Sequence, residues 1–210
     1  KGTIPQSAEV AQARPYISGL GFYEMMINGR KVGNRVLDPA QSTYNKRIYY
    51  STYDVTEYLH TGVNVLLATV APGWYGMSKL RLQLEVIDKN GNLAVWTSNN
   101  VRSVTTGPTV YSTIFDGECY DARQDVPALY EPGVPAGLMN QSWGWAHVAD
   151  APGGRMVSQM MEPIEVVDSL VPQLIGEPLP GVYVFDTKQN LAGWASLRVE
   201  GERGRQVTMK

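Results

Sequence analysis

The sequence predicts an all-β fold of the sandwich or barrel kind. Three observations carry that expectation. The 21 glycines and 13 prolines punctuate short β-rich runs about every ten residues, the spacing of such folds. Between them, apolar and polar residues alternate with period two, as in a strand with one buried face. Finally, two Asn-Gly pairs, Asn28-Gly29 and Asn90-Gly91, each join two such runs, and Asn-Gly supplies the positive φ angles of a type I′ hairpin turn.

In chain order, residues 14–18 read as a strand, and residues 22–27 with 31–33 form the first hairpin, around Asn28-Gly29. A further strand is expected over 48–53. The run Asp54-Val-Thr-Glu57 resembles a capped first turn of a short connecting helix that Tyr58 and Leu59 continue and Gly62 ends in a left-handed conformation. Residues 64–70 read as the next strand. In 80–86 the alternation is clearest: Leu80, Leu82, Leu84 and Val86 share one face, Arg81, Gln83 and Glu85 the other. The Asn90-Gly91 turn returns this strand into 93–97, and 101–105 is another strand candidate.

From 124 to 154 the patterning fades into loop, with Pro127, Pro132, Pro135, Pro152 and Gly153-Gly154. Trp143 and Trp145 share one face if that stretch is extended. Strand character resumes over 163–167. The proline-spaced passage 171–181 then reads as a unit boundary, followed by strands over 182–185, 195–199 and 206–209. Three strands in so few residues cannot close a sandwich of their own, so they are either completed by the first unit or truncated. The expected division is therefore a first domain over 13–172 and the truncated start of a second over 173–210. The sequence contains no internal repeat.

Composition excludes several function classes. The chain has 210 residues, 43% hydrophobic and 18% charged, enough for a core in one large domain or one domain plus part of another. Eighteen Lys and Arg oppose 20 Asp and Glu, a net charge of -2, so there is no basic footprint for nucleic acid or an anionic membrane. A single cysteine, Cys119, excludes an internal disulfide and a cysteine-rich zinc site, and no apolar run reaches the ~18 residues of a membrane span. Gly19-Leu-Gly21 leads into a strand rather than a helix, which removes a nucleotide-binding reading. The start at Lys1, without initiator Met or signal-type segment, and the end in mid-pattern at Lys210 read as an excised piece.

An ordered series of motifs then resembles a known family. Ile17-Ser-Gly-Leu-Gly-Phe-Tyr-Glu24 is followed by Ile27-Asn-Gly-Arg-Lys-Val-Gly33, Leu37-Asp-Pro39, Asp54-Val-Thr-Glu-Tyr-Leu59, Asn64-Val-Leu66 and Gly73-Trp-Tyr75. Further on come Gly117-Glu118, Tyr120-Asp-Ala-Arg123, Ala151-Pro-Gly-Gly-Arg155, Gln159-Met-Met-Glu-Pro163, Val184-Phe-Asp186 and Ala192-Gly-Trp194. Order and spacing resemble the amino-terminal β-sandwich of bacterial α-L-rhamnosidases, glycoside hydrolase family 78, and the start of that family's next β-domain. The resemblance implies an antiparallel, jelly-roll, galactose-binding-like sandwich with a short extra β-segment at its C-terminal end. It further implies a bacterial, periplasmic or secreted parent whose catalytic helical barrel lies carboxy-terminal to these β-domains and hydrolyses terminal rhamnose. In one respect the chain departs from the pattern: where members usually carry an acidic residue and glycine before Gly-Trp-Tyr, it has Ala71-Pro72-Gly73.

Two chemistries remain for the chain itself. Carbohydrate binding needs a flat aromatic face for the CH-rich side of a pyranose; Trp74 and Tyr75, after a Pro-Gly turn, are candidates, as are Trp143 and Trp145, against the alternative that they pack. Trp96, on a strand, reads as packing. Asp116, Glu118, Asp121 and Asp125 form the one dense acidic cluster. Asp116, Glu118 and Asp121 are candidate Ca²⁺ ligands, since hard cations take clustered oxygens, against the alternative of solvated carboxylates partnered by Arg123. The four carboxylates also admit a third reading, the pair that glycoside hydrolysis places about 5–9 Å apart across a sugar, against which stands the solvated alternative; no residue is assigned a catalytic role, and no cofactor is required. His60 and His147 are isolated from each other and from Cys119, which leaves zinc or a catalytic triad without support. The leading expectation is a non-catalytic accessory fragment of a rhamnosidase-like enzyme; the rival is an autonomous, calcium-assisted module for rhamnose-containing glycans.

Overall fold

The computed structural model describes residues 2–4, 9–76, 78–99, 103–131 and 143–210. Two compact units divide the chain, residues 1–165 and 166–210.

The first unit is a β-sandwich. Its larger sheet has five strands in the spatial order Leu93–Thr97, Lys79–Asp88, Val10–Leu20, Arg47–Thr52 and Arg155–Ser158. Neighbours run antiparallel except the last pair, which is parallel. The smaller sheet orders Arg30–Lys31, Phe22–Ile27 and Leu66–Ala71, all antiparallel. One run of chain serves both sheets. The Val10–Leu20 strand ends at Gly21, whose φ of +115° a side chain would resist, and Phe22–Ile27 begins the second sheet.

Period-two patterning builds the core. Ala13, Ile17, Leu84 and Val86 face inward from the larger sheet, Tyr23, Met25 and Ile27 from the smaller, and Val32 and Val55 close the sides. Leu80, Leu82 and Trp96 pack against this cluster, so the alternation of 80–86 and the packing role of Trp96 are as the sequence indicates. Ile17, Ile27 and Leu84 are almost wholly enclosed, each worth about 1.5–3 kcal/mol relative to exposure.

Pro15 lies in the central strand, where a missing N–H would normally break a ladder. Ala13, of the same parity, directs its carbonyl at Val55 N, so Pro15 also points to that side. There the ladder with Arg47–Thr52 pairs only Tyr16 and Ile17, and the absent donor falls beyond it.

The two Asn-Gly turns differ. At the first, Asn28 (φ +51°) and Gly29 (φ +78°) are both left-handed and Ile27 pairs with Arg30, a two-residue type I′ hairpin. At the second the expected type I′ turn is replaced: Gly91 alone has positive φ, +83°. Gly91 N donates to Asp88 O at 3.0 Å and Asp88 N to Asn92 O at 3.1 Å, giving a three-residue loop with glycine at the left-handed position. The reason is Asp88, whose carboxylate accepts from Asn90 N, Asn92 N and Asn92 Nδ2, each at 2.8 Å, and so holds a turn that a plain Asn-Gly pair does not select.

The connecting helix is a single 3₁₀ turn, Thr56–Tyr58. Asp54 Oδ1 accepts from Thr56 N and Oγ1, and Thr56 Oγ1 accepts from Ala13 N at 3.0 Å, which ties the turn to the central strand. Gly62, with φ +91°, opens the short Gly62–Asn64 strand rather than terminating the helix.

Several strands come from long-range pairing. Arg155–Ser158 joins the sandwich edge because Gly154 lets the backbones meet: a Cβ there would stand 2.1 Å from Tyr44 O, to which Gly154 N donates at 3.0 Å. Gly154 is thus a point of close approach as well as part of a loop. The candidate strand 101–105 is present as Ser103–Val104, paired with Gly144–Trp145; Val101 and Arg102, like Pro132 and Pro135, lie outside the described residues. Ile164–Glu165 pairs with Arg35–Val36.

The second unit holds one hairpin, Gln173–Leu179 with Val182–Asp186. Two expectations change here. The proline-spaced passage is itself mostly strand, with register shifts on either side of Gly176 that accommodate Pro178, which has no N–H to pair. Residues 195–199 and 206–209, expected as strands, are irregular. Apolar alternation makes a strand only where a ladder partner exists, and among the described residues of this unit the hairpin strands pair with each other.

Candidate functional site

Exposed aromatic rings gather where Leu66–Ala71 leaves the smaller sheet. Pro72 leads into a 3₁₀ turn, Gly73–Tyr75, and Gly76 ends it in the left-handed region. Gly73 is buried at φ +61°, and a Cβ on it would lie 2.8 Å from Gly21 Cα. With Gly73 pressed to the sandwich corner, the two residues after it point outward. Trp74 is 55% and Tyr75 54% exposed. Tyr75 leans on the buried ring of Tyr44, centroids 5.0 Å apart at 60°, and Tyr44 Oη accepts from Gly21 N at 3.1 Å. Burial pushes the Tyr44 hydroxyl pKa up, which keeps it neutral.

Phe115 completes the patch and is absent from the sequence-based candidates. It is 69% exposed and meets Trp74 edge to face, 5.4 Å between centroids at 81°. It sits at the tip of a hairpin made by Thr109–Thr113 and Gly117–Tyr120. Thr113 Oγ1 accepts from Phe115 N and Asp116 N at 3.2 and 2.9 Å, and Asp116 Oδ2 accepts from Tyr111 Oη at 2.7 Å. An aromatic residue inside a Thr-x-x-Asp-Gly turn is the local signal that marks it, but the contact with Trp74 is not visible in one dimension.

The other tryptophan pair is divided. Trp143 is half-buried against the Val65 and Leu129 cluster, on which Leu67 and Tyr130 also pack, whereas Trp145 is 65% exposed.

The acidic cluster is spread along the hairpin, each aspartate with its own partners. Besides its bond from Tyr111, Asp116 accepts from Thr113 Oγ1. Asp121 receives Arg123 Nε at 2.8 Å and Nη2 at 2.7 Å; these hydrogen bonds hold its carboxyl far below the usual range. Asp125 Oδ2 accepts from Tyr120 Oη at 3.0 Å, and Glu118, exposed, faces Ser112 across the ladder. Among the described residues no three of His, Cys, Asp or Glu come together to hold a metal ion, and Asp116, Glu118 and Asp121 are not gathered into such a group.

Among the described residues, one carboxylate is buried: Asp38, 3% exposed. Its Oδ2 accepts from Tyr23 Oη at 2.6 Å and Tyr53 Oη at 3.1 Å, and the two hydroxyls are 3.1 Å apart. The guanidinium of Arg35 lies 4.9 Å from the Tyr53 ring centre. Burial pushes Tyr53 up to about 12 and Tyr23 higher still, with Asp38 adding to the shift. This cluster is a lock: Tyr23 N also donates to Asp38 O at 2.9 Å, fastening the 37–39 loop to the smaller sheet.

Residues 8–168 match the family described as Alpha-L-rhamnosidase N-terminal domain. An α-L-rhamnosidase of Streptomyces avermitilis is 36% identical over 216 residues, 96% of this chain and 21% of that protein. One of Formosa agariphila is 32% identical over 227 residues, 99% of this chain and 23% of the relative. The crystal structure of the Streptomyces avermitilis enzyme complexed with L-rhamnose superimposes with a TM-score of 0.82 at 35% identity, covering 90% of this chain and 19% of that one. The native α-L-rhamnosidase of Aspergillus terreus gives 0.79 at 30% identity, covering 90% and 23%. The chain thus spans about a fifth of the length of the curated relatives it matches.

The tyrosine lock sets an alkaline limit to stability. Both hydroxyls hold their protons more tightly folded than at the ordinary value of 10.0, so their contribution is complete below about pH 10 and is lost as pH rises from there through the folded values. Urea unfolding across that range should show stability falling with pH, and falling less steeply in the Tyr23→Phe/Tyr53→Phe double variant. An unchanged slope contradicts this assignment.

Proposed function

This chain belongs to the α-L-rhamnosidase N-terminal domain family, and on that premise we propose that it is a non-catalytic accessory β-sandwich of an α-L-rhamnosidase-like glycoside hydrolase that cleaves terminal α-L-rhamnose from glycans or glycosides. The observation that carries this reading is the extent of the match: it takes in residues 8–168 of this chain and about a fifth of each curated relative. The chemistry of the carboxylates agrees. Glycoside hydrolysis uses two carboxyl groups about 5–9.5 Å apart across a sugar, one kept protonated as the acid. Here Asp121 is held ionised by Arg123, Asp116 and Asp125 accept tyrosine hydroxyls, and Asp38 is enclosed by Tyr23 and Tyr53. The catalytic pair then belongs to a helical barrel elsewhere in the parent, which is the partner of this sandwich. On the same reading residues 13–172 are the sandwich domain and 173–210 the start of the next β-domain.

A second reading, carbohydrate binding by the chain itself, is favoured by one observation: Trp74, Tyr75 and Phe115 present open rings at one place. Trp145 is the other exposed candidate; Trp143 has its ring engaged in packing. Calcium assistance through Asp116, Glu118 and Asp121 has no such support, because those carboxylates are not gathered.

Aryl α-L-rhamnoside offered to the chain should be turned over no faster than in buffer. A rate far above that, lost in Asp116→Asn or Glu118→Gln, overturns the accessory reading.

Calorimetric titration with L-rhamnose addresses the second reading. A single small platform supports a dissociation constant near millimolar, about −4 kcal/mol. Binding should weaken in Trp74→Ala; if it is unchanged in both Trp74→Ala and Trp145→Ala, the platform lies elsewhere.

A further inference from the structure

The two Asn-Gly dipeptides share a sequence but not an environment, and the difference bears on covalent chemistry. We propose that Asn90 is a site of spontaneous conversion of a side-chain amide to an acid, and that Asn28 is protected from the same reaction by the sandwich.

The reaction needs only water. The backbone nitrogen of the following glycine loses its proton and attacks the asparagine Cγ. The bond from Cγ to the side-chain nitrogen breaks, ammonia leaves, and a five-membered cyclic imide forms. Water then opens the imide at either carbonyl, giving aspartate or its isomer with the chain running through the side-chain carboxyl. Glycine favours this because no side chain shields its nitrogen.

At Asn28 the amide is pinned. Nδ2 donates to Tyr58 O at 2.8 Å and Asn64 Oδ1 at 2.9 Å, while Oδ1 accepts from Val65 N at 2.9 Å. The backbone N of Asn28 donates to Val65 O at 2.9 Å. Asn64, itself 2% exposed, is fixed by bonds to the backbone of His60 and Gly62. Attack on Cγ requires these bonds to break together. Moreover, the product carboxylate would set its oxygens against two acceptors, Tyr58 O and Asn64 Oδ1, where the amide had donated, leaving Tyr58 O without its donor.

Asn90 has none of this. It is exposed, with Gly91 and Asn92 exposed beside it, and a Cβ built on Gly91 would touch nothing within 4 Å. The backbone N of Asn90 bonds to Asp88 Oδ1, but among the described residues its side chain has no hydrogen-bond partner and is free to approach Gly91 N. That nitrogen is held by one bond, to Asp88 O at 3.0 Å, at a hairpin tip where local opening costs little. Conversion places a carboxylate beside that of Asp88. The isomerised product also lengthens the backbone at the position where the three-residue turn depends on Gly91, loosening the end of the Leu93–Thr97 edge strand.

The test incubates the whole folded chain in warm, mildly alkaline buffer and quantifies each site by peptide mapping with mass spectrometry, with a parallel sample in concentrated urea. Asn90 should convert at least about tenfold faster than Asn28 in the folded chain, a ratio set by the bonds that must open together at Asn28, and the two should converge in urea. In Asn64→Ala, conversion at Asn28 should accelerate while that at Asn90 stays as before. Equal rates at the two sites in the folded chain overturn the proposal, as does an intact Asn90 after the urea sample has converted.

Discussion

At Gly21 the chain leaves one sheet for the other, and the rest of the structure is arranged around that corner. A backbone turn and two contacts converge there. The backbone turns at φ +115°, Gly21 N donates to the Tyr44 hydroxyl, and Gly73 lies so close that a Cβ on it would approach Gly21 Cα to 2.8 Å. Because interiors are close-packed and do not yield continuously, this approach fixes the 3₁₀ turn Gly73–Tyr75 against the sandwich, and hence the outward direction of Trp74 and Tyr75. Tyr44 serves both sides of the corner: its hydroxyl ties to Gly21 and its ring supports Tyr75. The aromatic patch is therefore a consequence of how the two sheets are joined.

The same economy appears in the buried polar groups. Asp38 with Tyr23 and Tyr53, and Asn28 with Asn64, satisfy one another inside or beside the core. Each network binds a loop to the smaller sheet: the first holds the 37–39 segment, the second links the type I′ turn to the 58–65 segment. Unpaired, such groups would oppose folding; paired, they specify one register. Asn28 has two tasks, since its positive φ makes the turn and its side chain makes the link.

What the sequence shows and what it conceals follow from the range of the interactions. Leu80 to Val86 and the runs around Asn28-Gly29 are legible because their alternation and turns are local, and with them the sandwich class and the family. The ordered motifs that carry the resemblance are largely these structural residues: Asp54 and Thr56 at the 3₁₀ turn, Asn64 in its network, Gly73 at the corner. The three-residue turn within 88–92 is less legible because a side chain, Asp88, overrides the dipeptide. The parallel strand Arg155–Ser158 depends on a backbone approach at Gly154 that alternation does not encode. Residues 195–199 have the pattern of a strand without the partner. Within the site, Trp74 and Tyr75 are readable from the Pro-Gly turn, but Phe115 reaches Trp74 only through folding, and the acidic residues, adjacent in sequence, are partnered individually along a hairpin.

A matched pair of substitutions tests the corner most directly. Gly73 and Gly76 flank the same turn at nearly the same backbone angle, φ +61° and +66°, but only Gly73 meets other atoms, Gly76 having nothing within 4 Å. Replacing either with alanine adds a similar left-handed strain, so the difference between the two reports the packing of Gly73 against the corner, chiefly the backbone of Gly21 with Gln41 Nε2 beside it. Thermal melting of Gly73→Ala and Gly76→Ala should show the larger loss for Gly73→Ala, by about 1–3 kcal/mol, the cost of forcing atoms into a packed site. Equal losses would mean that the Gly21 approach does not hold the turn, and would contradict the account.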